Sequence, residues 1–287
     1  MGTSQSSSGP GSGVPLIPPW VPDVVPAEPP TGEPGADDKT SDTTGSDDNP
    51  PASPVTPQAI ALAPAARFRA ARRALGEYAR AGDRSDMRRS LGHYVRTGYG
   101  GSGTAARRMG GTASTASTLL SALSNVAAGR PAEPGSPLDP ALLAGRSVRE
   151  VMDAVVEAVR PIDGTQDAEA ARAAIRDALS ELLTRFPDAD ILNLSTEQRT
   201  LAIECYAALD VFRRFDLDVG KTIHDNAPSA VTALARLKEV RDYVKEVVAA
   251  SFRRLSDSGR AITAATVSGI VRDALRETFQ VFQDFAE

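Results

Sequence analysis

The residues that most often carry chemistry are few in this sequence and stand far apart. There are two histidines, His93 and His224, and one cysteine, Cys205. Neither histidine has a second histidine or a cysteine within helical reach, which argues against a zinc site. Cys205 lies at an apolar position of a predicted helix, where a small buried hydrophobe is the simplest interpretation, although a cysteine–histidine pair formed by folding stays open. We predict no catalytic residue, no metal site, no cofactor and no enzymatic activity.

Two stretches imitate parts of a phosphate-binding loop. Gly220-Lys221-Thr222 has the ending of a P-loop, but Phe215 occupies the position of the motif's first glycine and no predicted strand precedes it. The glycine-rich run 98–103 lacks the lysine that would neutralise the phosphates. The sequence therefore does not predict nucleotide hydrolysis.

A basic segment is the stronger candidate for function. Residues 67–108 contain eleven arginines and three acids, a formal charge of +8. The aromatic residues interleaved with these arginines are Phe68, Tyr78, Tyr94 and Tyr99. Such a segment could bind phosphates while its rings stack on bases, or it could contact an acidic partner protein or the chain's own acidic tail. We select Arg96, Arg107 and Arg108 as candidate contacts and leave these alternatives open.

The first 66 residues have the composition of a disordered tail. They hold 14 of the 21 prolines, and eight acids oppose the single Lys39, a formal charge of −7. This stretch has too little apolar surface to offset the entropy lost on ordering. Its apolar patch, residues 14–22, is interpreted as an extended docking peptide rather than a solvated spacer. The predicted partner-docking residues are Leu16, Ile17, Pro18, Pro19 and Trp20.

The remaining chain predicts an all-α protein. Apolar residues recur at helical spacing, and no segment shows the pattern of a strand. We predict an arginine- and glycine-rich helical segment at 67–128, a linker at 129–140 and an all-α bundle of about five helices at 141–287. Without an 18-residue apolar run or a signal-peptide pattern, the chain is expected to stay in the cytoplasm.

Helix starts are marked by capping signals. Ser147-x-x-Glu150 and Ser195-x-x-Gln198 have the spacing of capping boxes, in which each side chain bonds the other residue's backbone N–H. Thr104 and Thr263 are predicted to cap two further helices, and Pro228 to start the longest one.

Two stretches resemble the QatB family, the B component of the bacterial Qat anti-phage system. They are the leader MGTSQSSSGPGSGVPLIPPWV and the arginine–glycine stretch from Tyr94 to Thr112, which contains RRMGGT. The resemblance implies an operon that also encodes an ATPase, a QueC-like deazaguanine-type synthetase (QatC) and a TatD-like nuclease. It further implies that the B component is the direct partner of the QueC-like enzyme.

The leader suits a modified N-terminus. Methionine before glycine is commonly removed, which would leave Gly2 with an unhindered amine of near-neutral pKa. QueC-like enzymes activate a carboxylate with ATP and join it to an amine, so we expect Gly2 to be the modification site. Residues 1–6 also match an N-myristoylation pattern, which we do not favour for a bacterial chain.

Overall fold

A computed structural model describes residues 66–130 and 133–286. Over those residues the chain forms eleven α-helices and no strand, so the predicted all-α class is confirmed. No helix in this part of the chain combines the length and the apolar character needed to cross a bilayer. The predicted disordered tail, with Gly2 and the docking segment 14–22, lies outside the described residues.

The helices differ widely in length. In chain order they are α1 Arg69–Ala81, α2 Arg84–His93, α3 Ser102–Arg108, α4 Gly110–Ala127, α5 Pro140–Leu143, α6 Val148–Val159, α7 Gln166–Arg185, α8 Thr196–Phe215, α9 Lys221–Asn226, α10 Ala230–Asp257 and α11 Val267–Gln283. Two π-helical segments, Tyr94–Tyr99 and Asp216–Gly220, follow α2 and α8 directly, and 3₁₀ turns occur at Ile191–Asn193 and Asp284–Ala286.

The core is continuous across the predicted linker at 129–140. Helix α1 packs on α2, α9 and α10, while α11 packs on α3, α4 and α10. Leu75 of α1 and Phe279 of α11 are fully buried in the same apolar cluster. Leu143, immediately after the linker, belongs to that cluster as well. The arginine-rich segment and the C-terminal helices therefore share one core, and the linker does not separate two.

Capping follows the sequence at some helix starts and departs from it at others. Both capping boxes form, with the side-chain and backbone bonds present at Ser147–Glu150 and Ser195–Gln198. The prediction that Thr104 caps a helix was wrong, because α3 begins two residues before it, at Ser102. The residue that precedes α3 is Gly101, whose φ of 105° favours glycine. Thr263 does not cap α11 either. Its hydroxyl bonds that of Thr266 in the turn before the helix.

The hairpin between α1 and α2 depends on a glycine. Gly82 has φ 80° and donates its N–H to the Tyr78 carbonyl, which ends α1 in a left-handed cap. A Cβ there would overlap the guanidinium of Arg236 on α10. Asp83 then caps α2 by accepting from the Ser85 N–H at 2.8 Å. The basic α1 thereby packs on α2 and on α10.

Candidate functional site

One face of α1 is a row of arginines. Arg69, Arg72, Arg73 and Arg80 are exposed, and at 100° per residue they fall within about a quarter of the helix circumference. The opposite face, which includes Leu75, is buried. We call these four residues the α1 arginine face. The amphipathic pattern of α1 thus turns its apolar side to the core and its cations to solvent.

Few acids oppose this face in the part of the chain that the structure describes. Glu77 lies 3.5 Å from Arg73 and 3.0 Å from Arg89 of α2, so one carboxylate serves two guanidinium groups. Arg72 donates to the backbone oxygen of Asp218 at 2.8 Å, and Arg80 donates to the Asn226 side chain, neither of which cancels a charge. The face keeps most of its positive charge.

The aromatic residues of the basic segment lie in or against the core, which disfavours base stacking, one of the alternatives left open by the sequence. Phe68, Tyr78 and Tyr94 are buried, and Tyr99 is half-buried against the core. The Phe68 and Tyr94 rings stack at 5.1 Å, and Tyr94 meets Phe215 edge-on at 5.0 Å. These rings build the core beneath the arginines, because the helix turns apolar and charged residues to opposite sides.

The two π-helical segments are joined by a partly buried hydrogen-bond cluster. The hydroxyls of Tyr94 and Tyr99 both donate to Asp218 Oδ2, at 2.8 and 3.0 Å. Burial, with Tyr99 and Asp218 nearby, raises the pKa of Tyr94 well above its ordinary value, so its hydroxyl stays protonated as a donor. The cluster fastens the segment carrying Arg96 to the end of α8.

The RRMGGT block forms the junction of α3 and α4. Arg107 and Arg108 are exposed at the end of α3. Met109 is buried at the junction, and Thr112 is buried on α4 with its hydroxyl donating to Asp210. Met109 and Thr112 anchor the block in the core, so Arg107 and Arg108 have a fixed position on the surface.

The three candidate contact residues are all exposed, and Arg96 lies on a different element from Arg107 and Arg108. Arg107 donates to its own helix at Thr104 Oγ1, 3.0 Å away. Arg96 donates instead to the carbonyl of Ala286 at 3.3 Å, beside the C-terminal turn. Among the residues described, no hydrogen bond joins Arg96 to Arg107 or Arg108.

If the basic segment binds nucleic acid, Arg107 and Arg108 are expected to contribute to that binding. Changing both Arg107 and Arg108 to alanine is expected to weaken binding of a labelled DNA duplex and to lower the log–log salt slope by about 2, because each phosphate contact contributes about 0.9. Fluorescence anisotropy over a salt series would measure it, with Arg272→Ala/Arg276→Ala on α11 as the matched control. No binding by the unchanged protein at low salt would leave only protein contact.

The environments of Cys205 and His93 shift the pKa of each side chain. Burial raises the pKa of the half-buried Cys205 to about 11, the reverse of an activated thiol. Burial lowers the pKa of His93, with Arg89 and Arg96 adding to the effect. No group of three or more histidine, cysteine or acidic side chains that could bind a metal ion occurs among the residues described.

Neither phosphate-loop imitation has the geometry of one. Gly220 ends a π-helical segment in a continuous helix, and Lys221 pairs with Asp225 at 2.7 Å. In the glycine-rich run, the Gly101 N–H donates to the Val95 carbonyl and the Ser102 N–H donates to Gln283 Oε1. Backbone donors that would hold a phosphate are thus already used.

A buried charge network was missed by the sequence reasoning. Asp210 on α8 is fully buried; its Oδ2 accepts from Thr112 and from Arg214 Nε at 3.3 Å, and Arg214 also donates to Asp167 at 3.0 Å. Burial raises the pKa of Asp210, opposed by Arg214. The available signal was a single acid within an apolar stretch of helix, with an arginine four residues later.

An apolar groove of about 470 Å³ lies beside residues 129–140, the segment predicted to be a linker. Its walls are the ends of α4 and α5, the start of α6 and the turn at Ile191–Asn193. Leu143 and Val151 lie in its lining, and Val148 on the wall is 56 % exposed. Leu142 on α5 is 48 % exposed. Exposed apolar side chains beside a groove are typical of protein-contact surfaces.

Comparison with family models supplies the deciding observation. The model described as "Qat anti-phage system associated protein QatB" matches residues 100–282, more than half of the chain. The chain belongs to the QatB family. The matched QatB span includes Arg107, Arg108, the buried Asp210 network and the apolar groove, whereas Arg96 and the α1 arginine face precede it. Comparisons with curated proteins and with solved structures gave no match.

Membership places this QatB protein in an anti-phage defence system and agrees with the resemblance found in its sequence. The family description refers to association with the system and names no reaction. Membership indicates partners within the Qat system.

Proposed function

We propose that this QatB protein is a non-catalytic partner and the N-terminal substrate of the QueC-like synthetase of its system. The observation that carries the proposal is the order of features in the leader. Gly2 stands behind Met1 on a glycine- and serine-rich stretch, ahead of an apolar, proline-rich patch. In this role the protein works in the cytoplasm with the other Qat components, among them the ATPase and the TatD-like nuclease.

The chemistry follows from what a free glycine terminus offers. Once Met1 is removed, the Gly2 amine has no side chain beside it and a near-neutral pKa, so an uncharged fraction is present at neutral pH. A QueC-like enzyme would join the carboxylate of a deazaguanine-type base to the α-phosphate of ATP, with release of pyrophosphate. The Gly2 nitrogen then attacks the activated carbonyl carbon in the place of ammonia, the nucleotide leaves, and an amide bond and a released proton result.

The helical body supports this division of labour. The exposed features of the described residues include cations and apolar side chains suited to protein contact, and burial raises the pKa of the Cys205 thiol to about 11, the reverse of an activated nucleophile. In the proposal the synthetase supplies all of the catalysis. The apolar patch of the leader, which includes Trp20, holds Gly2 in register on its surface.

The decisive experiment is a mass spectrum of the N-terminal peptide from cells carrying the whole operon. We expect a nucleobase-sized mass on the Gly2 amine, present with the synthetase and absent without it. Trp20→Ala should slow modification rather than abolish it, because docking is weakened while the amine is unchanged. Ser8→Ala, elsewhere on the leader, is the matched control. An unmodified Gly2 together with full anti-phage protection would contradict the proposal.

The nucleic-acid adaptor is the second candidate, and the described geometry favours it less. A single-strand site needs rings for the bases to stack on, and the rings of the basic segment are in or against the core. Exposed arginines alone could bind only the phosphate backbone.

A further inference from the structure

The apolar groove in the helical body has an occupant that the family description does not name. This groove of about 470 Å³ beside residues 129–140 lies inside the matched span and outside the basic segment. Leu143, Val151 and Ile191 line it and are buried in the core. Val148 on its wall is 56 % exposed, and Ala144, also in the lining, is exposed as well. Leaving such apolar surface in water is unfavourable, which favours an occupant that covers it.

The walls of the groove are held in place by local hydrogen bonds. Asp139 and Asp190 cap α5 and the turn Ile191–Asn193 through their side chains. The capping box of Ser147 and Glu150 fixes the start of α6. A wall that is already ordered reduces the entropy lost on binding, so even a short segment can bind to it.

Arg130 is the cation of the lining that has no carboxylate partner. Its guanidinium donates to the neutral side-chain oxygen of Asn125 at 3.0 Å and forms no ion pair among the residues described. Arg146, by contrast, pairs with Glu150 at 2.7 Å, and the Asp190 carboxylate accepts from a backbone N–H. The groove therefore complements an apolar segment that supplies a carboxylate of its own.

A second cavity, of about 380 Å³, adjoins the groove. Val126, Arg130 and Leu138 line both, so Arg130 lies where the two cavities meet. Apolar side chains on either side of a carboxylate would fill the two cavities while the carboxylate pairs with Arg130. A small molecule in one cavity would leave the other cavity and the exposed wall uncovered, so a protein segment fits this surface better.

We propose that the groove binds a segment of another Qat protein in which apolar side chains flank an aspartate or a glutamate. Family membership indicates partners within the Qat system. The described residues contain no strand to whose edge a peptide could add, so the segment binds through its side chains, as an amphipathic helix does in a groove. This contact is on the helical body and is separate from the docking of the leader.

A photo-crosslinking residue on the wall tests the proposal in cells that carry the whole operon. Val148→p-benzoylphenylalanine keeps the wall apolar and places a reactive ketone at the groove. Irradiation is expected to join the chain to one other Qat protein. The crosslinked peptide should contain an acidic residue within about four positions of apolar ones. The proposal is overturned if no adduct forms, if the adduct is with a second copy of this chain, or if the crosslinked peptide has no acidic residue.

Two variants in the crosslinking background test the chemistry of the groove. Arg130→Glu reverses the charge that faces the partner's carboxylate and should lower the adduct yield about tenfold. Ala144→Asp places a carboxylate on the apolar wall and should lower the yield to a similar extent. Both residues are exposed, so circular dichroism should not change. Unchanged adduct yields in both variants would remove the proposal.

The matched controls make the same changes at exposed positions outside the groove lining. They are Arg272→Glu on α11 and Ala235→Asp on α10, and the adduct yield should stay as in the unchanged background. The mass of the N-terminal peptide is read from the same cells. An adduct with an unmodified Gly2 would support the groove contact and contradict the proposal for the leader, whereas a modified Gly2 without an adduct would do the reverse.

Discussion

Replacing Gly2 with leucine is expected to abolish the N-terminal modification. The change acts twice: a bulky second residue prevents removal of Met1, and its side chain obstructs entry of the terminus into an enzyme pocket. The N-terminal peptide should keep Met1 and lack the added mass when the variant is co-expressed with the synthetase. Anti-phage protection should fall with it, because the proposal makes the modified terminus the functional form.

Two further variants separate these effects. Gly2→Ala is small enough to permit removal of Met1, so it tests the pocket alone, and we expect partial modification. Gly11→Leu places the same side chain elsewhere on the leader and should leave modification unchanged. Circular dichroism of all three should match that of the unchanged protein. A nucleobase-sized mass on the terminus of the Gly2→Leu variant would contradict the mechanism.

Replacing Arg214 with methionine is expected to cause the largest loss of stability in the helical body. Asp210 is fully buried, and Arg214 is the cation that opposes its charge. The Oδ1 atom of Asp210 has no hydrogen-bond partner among the residues described. Removing one member of a buried ion pair costs about 3–5 kcal/mol, because the remaining charge is left uncompensated. For a body of this size the melting temperature should fall by about 10 °C.

A change of Asp210, the partner of Arg214, and the pH dependence of the variant's stability test whether an uncompensated charge causes the loss. Asp210→Asn in the Arg214→Met background should restore much of the stability, because it removes the stranded charge and keeps an acceptor for Thr112. The pKa of the Asp210 carboxyl is already raised by burial and rises further without Arg214. In the folded variant the Asp210 carboxyl then keeps its proton at pH values where the same carboxyl in the unfolded chain, with a pKa of about 3.9, has lost it. The stability of the variant should therefore increase as the pH falls towards that value.

Urea unfolding of the single and double variants at several pH values would measure both effects, with the exposed Arg272→Met on α11 as the control. Equal stability of Arg214→Met and the double variant at neutral pH would show that loss of packing, rather than charge, is responsible.

Helix class and several helix starts were predictable from local chemistry. A serine with glutamate or glutamine three residues later satisfies two backbone donors wherever the chain continues as a helix, which is why the boxes at Ser147 and Ser195 formed as predicted. The side of α1 on which Phe68 and Tyr78 lie could also be predicted from the sequence. Phe68 and Tyr78 share the spacing of buried Leu75, so the same periodicity that predicted the helix points them away from the arginines.

The position of Tyr94 and Tyr99 needed the tertiary structure. Five residues apart, two side chains on an α-helix diverge by about 140°, whereas the π-helical segment brings their hydroxyls to 3.3 Å of each other. Asp218, which receives both hydroxyls, is more than a hundred residues further along the chain. Periodicity carries no information about such a partner.

The sequence by itself determined the all-α class, the contrast between an acidic N-terminal stretch and an arginine-rich segment, and the resemblance that the family match then confirmed. Only the tertiary structure decided that the proline- and glycine-rich residues 129–140 do not divide two cores, and that Asp210 is buried against Arg214. The physical reason is that composition and caps act over a few neighbouring residues. Burial and ion pairing depend on which distant helices pack together, and that is settled by the whole chain at once.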